Sequence, residues 1–180
     1  MTAEIRTARL VMRPWREEDR TPFAAMNADL AVMEHFPAPL TRDESDAFVD
    51  RIEAQLDEHG YGLWAVEDDS GFLGFTGLAW QRWESDFTPA LEVGWRLARH
   101  AWGKGYATEA ATAALRRGFE EVDSIISLTA LTNERSQRVM MRIGMRRERE
   151  FDHPRIEAGH RLQRHVLFRA DRGTWQADAW

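Results

Sequence analysis

The sequence predicts a mixed α/β fold: an open sheet of about seven strands with helices on both faces. Three observations carry that prediction. From Leu91 to Leu97, apolar residues alternate with Glu92, Gly94 and Arg96, the period-two pattern of a strand. The glycine turn Trp102-Gly103-Lys104-Gly105-Tyr106-Ala107 follows, and Thr108 then opens a helical run with Ala111, Leu115, Phe119 and Val122 near helical spacing. Beyond that helix, Ile125 to Leu131 is a β-branched and apolar strand. A strand reached through a long helix is expected to pair in parallel with its predecessor.

The remaining elements follow in chain order. Leu10-Val11-Met12 reads as a first strand stopped by Pro14. Glu18 to Asn27 reads as a helix that tolerates Pro22 in its first turn and places Phe23, Met26 and Leu30 on one face. Ala28 to Phe36 is expected to continue as a short second helix until Pro37 and Pro39 break it. Thr41 and Glu44 have capping-box spacing for a helix over Arg42 to Glu58, with Phe48, Ile52 and Leu56 as its buried stripe and Gly60 as its stop. Leu63 to Glu67 and Phe72 to Trp80 form a hairpin about Asp68-Asp69-Ser70-Gly71, and the central strand from Ala90 to Leu97 is the fourth. Asn133 can cap a helix through Ile143, closed by Gly144. Two last strands, Met145 to Glu150 and His165 to Arg169, are expected to be antiparallel, joined by a loop holding Asp152, His153 and Pro154.

Length and composition bound the function. A chain of 180 residues without repeat, linker or low-complexity tract is expected to be one domain, 1–180. Hydrophobic residues make up 43% and charged residues 30%, and no apolar run nears the roughly 20 residues of a membrane helix. The segment Met1 to Leu10 has no apolar core of signal-peptide length, so the expected location is the cytoplasm and no membrane partner is expected. There is no cysteine, which excludes disulfides, cysteine-ligated zinc and a thiolate nucleophile; no metal site is expected. A net charge of −6 argues against nucleic acid as a partner. Of the 24 basic residues the one lysine is Lys104, inside the glycine turn.

A glycine-rich turn delivered to a helix N-terminus exposes unpartnered N–H groups at the positive end of the helix dipole, a cradle for an anion and most naturally for phosphate. It is not a Walker A loop, because Gly105 rather than Ser or Thr follows Lys104. A dinucleotide fingerprint would want a third glycine at Thr108. The plain alternative is that Gly103 and Gly105 only permit a tight turn.

Four segments in register add to this reading. Glu92-Val93-Gly94-Trp95-Arg96-Leu97, Trp102 to Ala110, Asn133-Glu134-Arg135-Ser136 and Ile143-Gly144-Met145 resemble the Gcn5-related N-acetyltransferases (GNAT). Within that family they are most similar to the RimJ/RimL-like branch, whose first strand Leu10-Val11-Met12-Arg13-Pro14 also resembles. The resemblance implies a GNAT-type sheet splayed between its fourth and fifth strands, with acetyl-CoA as co-substrate. It implies that Trp102, Gly103, Lys104, Gly105, Ala107 and Thr108 hold the pyrophosphate, largely through backbone N–H groups. It further implies that the backbone of Trp95 to Leu97 pairs with the pantetheine arm, which Asn133 and Ser136 meet from the other side. Asn133 also reads as no more than a helix cap, and Ser136 as a first-turn polar residue.

The implied reaction is attack of an amine on a thioester carbonyl, and without cysteine direct attack in a ternary complex is expected. Freeing the amine of its proton at pH 7 costs roughly 1 kcal/mol for an α-amine and about 5 kcal/mol for a lysine. Glu92, near the splay, is a candidate base; so are Asp152 and His153, where RimL-like enzymes are thought to place an acidic group, while His165 reads as a sheet histidine. The Ser136 hydroxyl is the candidate donor to the leaving thiolate. Many relatives use a tyrosine there, but neither Tyr61 nor Tyr106 falls at that point, and Phe168 replaces a tyrosine common in the last strand. The expected acceptor is a protein or peptide N-terminus. The alternatives are a small-molecule amine (antibiotic, amino acid or polyamine) or a non-catalytic CoA-binding sensor. The aromatic tail ending in Trp175 and Trp180 could support a homodimer or cover its own sheet.

Overall fold

A computed structural model describes residues 4–176. The strands are β1 (Ile5–Arg6), β2 (Val11–Arg13), β3 (Leu63–Asp68), β4 (Gly71–Gln81), β5 (Ala90–Leu97), β6 (Ser124–Ala130), β7 (Arg146–Asp152) and β8 (Arg164–Asp171). The helices are α1 (Arg20–Ala28), α2 (Arg42–His59), α3 (Tyr106–Gly118) and α4 (Glu134–Arg142). Among the described residues the sheet has eight strands in the order β1-β2-β3-β4-β5-β6-β8-β7, one more than the sequence reading. The added strand, β1, is two residues long, too short to show any period.

Strand register assigns the two faces of the sheet. Phe75 of β4 pairs with Arg96 of β5, and its ring meets Phe23 of α1 and Phe48 of α2. Phe75, Gly77, Ala79 and Gln81, with their partners Arg96, Gly94, Glu92 and Ala90, therefore face α1 and α2. Leu78 and its partner Val93 face α3, where Gly118 lets the helix approach so closely that a Cβ would lie 2.6 Å from Ile125 Cδ1. Leu91, Val93, Ala111, Leu115 and Ile125 fill the α3 side of the core. Each of the larger side chains contributes about 1.5–3 kcal/mol on full burial.

Several local expectations meet their physical causes here. Thr41 caps α2 in a reciprocal capping box with Glu44, and Gly60 closes the helix in the left-handed region. Phe48 is only half-buried, and the neighbouring Val49 takes the fully buried place. The second helix expected over Ala28 to Phe36 is instead a series of turns: Asp29 is extended, with ψ 115°, and closes α1. Leu30, expected on the buried face of α1, is consequently 75% exposed. The helix expected to run to Val122 ends at Gly118. Trp175 packs on its own chain, its ring 5.2 Å from Phe119 and its indole N–H donating to Ile143 O at 2.7 Å. Trp180 lies outside the described residues.

Arg13 anchors the β2 end of the sheet. Its guanidinium, 4% exposed, makes two hydrogen bonds to Asp19, at 2.7 and 2.9 Å, and an ion pair with Glu67 at 2.6 Å. Burial acts against the charge, but these two partners more than offset it and hold the proton far above the usual range.

Candidate functional site

β5 and β6 are parallel neighbours for only two pairs, Leu91 with Ile125 and Glu92 with Ile126. Beyond them the strands part. The Ser127 hydroxyl takes the Val93 carbonyl at 2.8 Å, so Val93 presents its polar backbone to the β6 side. By alternation, the N–H and C=O of Trp95 and the N–H of Leu97 aim into the same opening. The Leu97 carbonyl is closed off by the indole N–H of Trp102 at 2.8 Å.

The glycine turn stands at the mouth of this opening. Gly103 and Gly105 have φ of 75° and 81°, the left-handed conformation that side-chain-bearing residues resist. The first helical bond of α3 runs from Glu109 N–H to Gly105 O, and among the described residues the N–H groups of positions 103 to 108 have no acceptor. A row of free donors at a helix start is an anion-binding concavity. The Thr108 hydroxyl is also without a partner among the described residues, whereas the Trp102 N–H is spent on Arg99 O at 3.1 Å. Of the residues expected to hold an anion through the backbone, Trp102 is thus the exception. Its ring instead lies under the Arg135 guanidinium at 4.9 Å.

Arg9 clamps the turn, a role the sequence did not suggest because it lies 95 residues from Lys104. It donates from Nη1 to Lys104 O at 2.9 Å and from Nε to Glu109 Oε2 at 2.7 Å, and its guanidinium lies 4.8 Å from the Tyr106 ring. Thr7 adds a hydroxyl bond to Glu109 Oε1 at 2.6 Å, and the Tyr106 hydroxyl donates to Asp68 at 2.9 Å. Lys104 lies nearby, its Nζ 5.7 Å from the Tyr106 ring. Ala107 is half-buried in the first turn of α3.

Across the opening, Asn133 caps α4 by accepting from Ser136 N–H at 3.2 Å, and its Nδ2 donates to Thr129 Oγ1 at 3.0 Å. Its side chain is thereby committed within the protein. The Ser136 hydroxyl has no partner among the described residues and is half-buried.

Glu92 lies at the last paired residue before the parting, on the α1–α2 face. It is half-buried, with protein atoms on most sides. Burial raises its pKa to about 7, against the pull of the Gln81 side chain and the Leu128 backbone amide. Gln81 is itself oriented: its oxygen accepts from the Trp83 indole N–H at 3.0 Å, which turns its NH2 toward Glu92 Oε2. Trp83 belongs to a ring cluster with Phe87, Phe151, His153 and His165.

Asp152 is not brought to this site. It ends β7 rather than lying in the following loop, pairs with Arg164, and is joined to it by an ion pair at 3.3 Å. Register carries Glu92's face through Ile126, Leu128 and Ala130 to His165 and Phe151, so Asp152 lies on the opposite face. His153 lies in the ring cluster, where burial, with His165 and Arg155 nearby, lowers its pKa to about 4. Burial also lowers His165.

Among the described residues no group of three or more metal-ligating side chains converges, and no helix is long and apolar enough to cross a membrane. Residues 9–146 match the family described as an acetyltransferase (GNAT) domain. The Bacillus subtilis protein YkkB is 34% identical over 144 residues, 77% of this chain and 83% of its own. YnaD of the same organism, named an N-acetyltransferase, is 31% identical over 147 residues, 80% of this chain and 83% of its own. The crystal structure of a GNAT-family acetyltransferase from Bacillus anthracis matches with a TM-score of 0.77 at 26% identity, covering 95% of this chain and 99% of that one.

Proposed function

The chain belongs to the GNAT acetyltransferase family, and from that premise we propose that it moves the acetyl group of acetyl-CoA to a primary amine by direct attack in a ternary complex. The observation that carries the reading is the parting of β5 from β6, with a row of free N–H groups at its mouth and a carboxylate of raised pKa at its inner end. Six consecutive N–H donors, the Thr108 hydroxyl and the charges of Lys104, Arg9 and Arg135 suit a pyrophosphate. The open backbone of Trp95 and Leu97 suits the amides of a pantetheine arm. Asn133 supports that arm by fixing the start of α4, and through it the place of Ser136.

Glu92 takes the proton from the attacking amine as the N–C bond forms and the C–S bond breaks. A base near pKa 7 is matched to an amine that has to be neutral at the working pH. The Ser136 hydroxyl donates to the departing thiolate. We read the whole chain, 1–180, as one catalytic domain of the RimJ/RimL-like branch acting in the cytoplasm. An α-amine, as at a peptide N-terminus, is the acceptor that such a modest base serves best; lysine-like amines require roughly 4 kcal/mol more.

The test is release of free thiol from acetyl-CoA across a panel of N-terminal peptides and small amines. Glu92→Gln is expected to lower kcat/KM about 10²–10⁴-fold and to remove the rise in rate through pH 7. Ser136→Ala is expected to lower it about tenfold to a hundredfold. Tight acetyl-CoA binding with no thiol release on any amine would instead make the chain a sensor.

A further inference from the structure

Arg96 lies on the same face of β5 as Glu92, four residues further along. Like Glu92, it is half-buried and crowded by protein. Between them is Gly94, where a Cβ would meet nothing within 4 Å, so this face of the strand is open from one side chain to the other.

The surroundings of Arg96 are apolar. Its guanidinium carbon lies 4.0 Å from the Phe36 ring centroid, 5.5 Å from Phe75 and 5.7 Å from Phe48. Among the described residues its guanidinium makes one hydrogen bond, from Nη1 to Asn27 Oδ1 at 2.7 Å. Nε is shielded from solvent without an acceptor, and Nη2 also has none among the described residues. Nη2 is thus the nitrogen left to receive a carboxylate oxygen. Among the described residues no carboxylate takes it. Among the described residues, every other arginine either pairs with a carboxylate or is exposed. Burial without a counter-ion accordingly lowers the Arg96 pKa to about 10.

We propose that Arg96 is a specificity-determining residue that binds a carboxylate carried by the amine acceptor, with the amine directed to Glu92 on the far side of Gly94. The proposal rests on the acceptor reading above and narrows its substrate class. Four strand residues span about 13 Å between α-carbons, and the two side chains reach toward each other from those ends. A molecule whose amine and carboxylate are several bonds apart, such as a short peptide with a free C-terminus, fits that span better than one α-amino acid. Asn27 holds Nη1, which leaves Nη2 for the incoming carboxylate. The neighbouring aromatic rings exclude water from the pair and strengthen it.

The experiment compares wild-type rates on alanyl and seryl dipeptides and tripeptides, each as free acid and as carboxamide, read as thiol release from acetyl-CoA. The free acids are expected to have KM lower by about tenfold or more, the gain of one charge-assisted pair, with kcat little changed. Arg96→Gln is expected to bring the acid-to-amide ratio close to one, and Arg96→Lys to keep part of it through charge alone. Equal KM for acid and amide with the wild type, or a preference that survives in Arg96→Gln, would overturn the proposal while leaving acetyl transfer intact. Because the acid-amide comparison needs only the wild type, a variant that fails to fold does not remove the test. Absence of release on every acceptor would overturn both readings, and is told apart because no ratio then exists.

Discussion

Arg13 and Arg96 are both cations under the protein surface, and their surroundings are opposite. Arg13, between β2 and the start of α1, is held by two carboxylates, with paired bonds to Asp19 and a contact to Glu67. Arg96, on the sheet face beneath α1 and α2, has one amide oxygen and three aromatic rings. A buried charge is costly, and its partners say what offsets the cost. At Arg13 the chain itself supplies the compensation, so the group serves the fold. At Arg96 the compensation is left for something that arrives.

The same substitution at both places breaks the comparison most sharply. Arg13→Met strands Asp19 and Glu67 without their cation and is expected to lower unfolding free energy by about 3–5 kcal/mol, measured by urea denaturation. Arg96→Met strands no carboxylate. It does leave the buried Asn27 Oδ1 without its donor, so the loss is expected to be about 1–2 kcal/mol in the same measurement; a fall as large as that at Arg13 would mean that Arg96 is also structural.

Glu92 is the anionic counterpart of Arg96 and sharpens the comparison through pH. Its carboxyl is raised from the ordinary 4.5 to about 7. Between those values the folded chain keeps a proton that the unfolded chain has released. This contribution is therefore most favourable below about pH 4.5 and declines as pH rises to 7, by on the order of 2–3 kcal/mol. His153 runs the other way: lowered from 6.5 to about 4, it releases its proton on folding and adds stability as pH rises through that window. The two slopes oppose each other in the wild type. In Glu92→Gln, stability is expected to climb with pH between about 4 and 6.5, which chemical denaturation at several pH values would show.

The smallest expected effect concerns Gln81. Its amide lowers the Glu92 pKa against the larger effect of burial. Gln81→Leu is expected to move the rising limb of the pH–rate profile to higher pH by a fraction of a unit to about one unit, with no change in acetyl-CoA affinity. An unchanged limb would mean that Gln81 does not orient the base.

Much of this could be read before the fold was seen, for physical reasons. The alternation of β5, the left-handed glycines of the turn and the Thr41 capping box are local, each fixed by neighbouring residues. What was missed depends on distant partners or on backbone angles that residue types do not determine. The apolar spacing from Ala28 to Phe36 fits a helix equally well, and only the extended conformation of Asp29 breaks it. Asp152 is drawn from the expected loop into the sheet because β7 runs two residues further than expected, and alternation then sets it on the face away from Glu92. Alternation correctly placed Arg96 opposite Val93, but nothing local told that the opposite side is roofed by Phe36 and Phe48.

The contacts of Thr7 and Arg9 with Glu109 join positions about 100 residues apart along the chain. Contacts of such separation form only after a large loop has closed, and loop closure is slow relative to local helix formation. The bracing of the glycine turn therefore waits on that closure: the bonds within α3 are local, but its leading end is braced only when the first strands have docked across the sheet. A folding intermediate with α3 intact but β1 and β2 undocked would have an unbraced donor row. Acquisition of nucleotide affinity during refolding would then report the arrival of the N-terminal strands, not the appearance of helix.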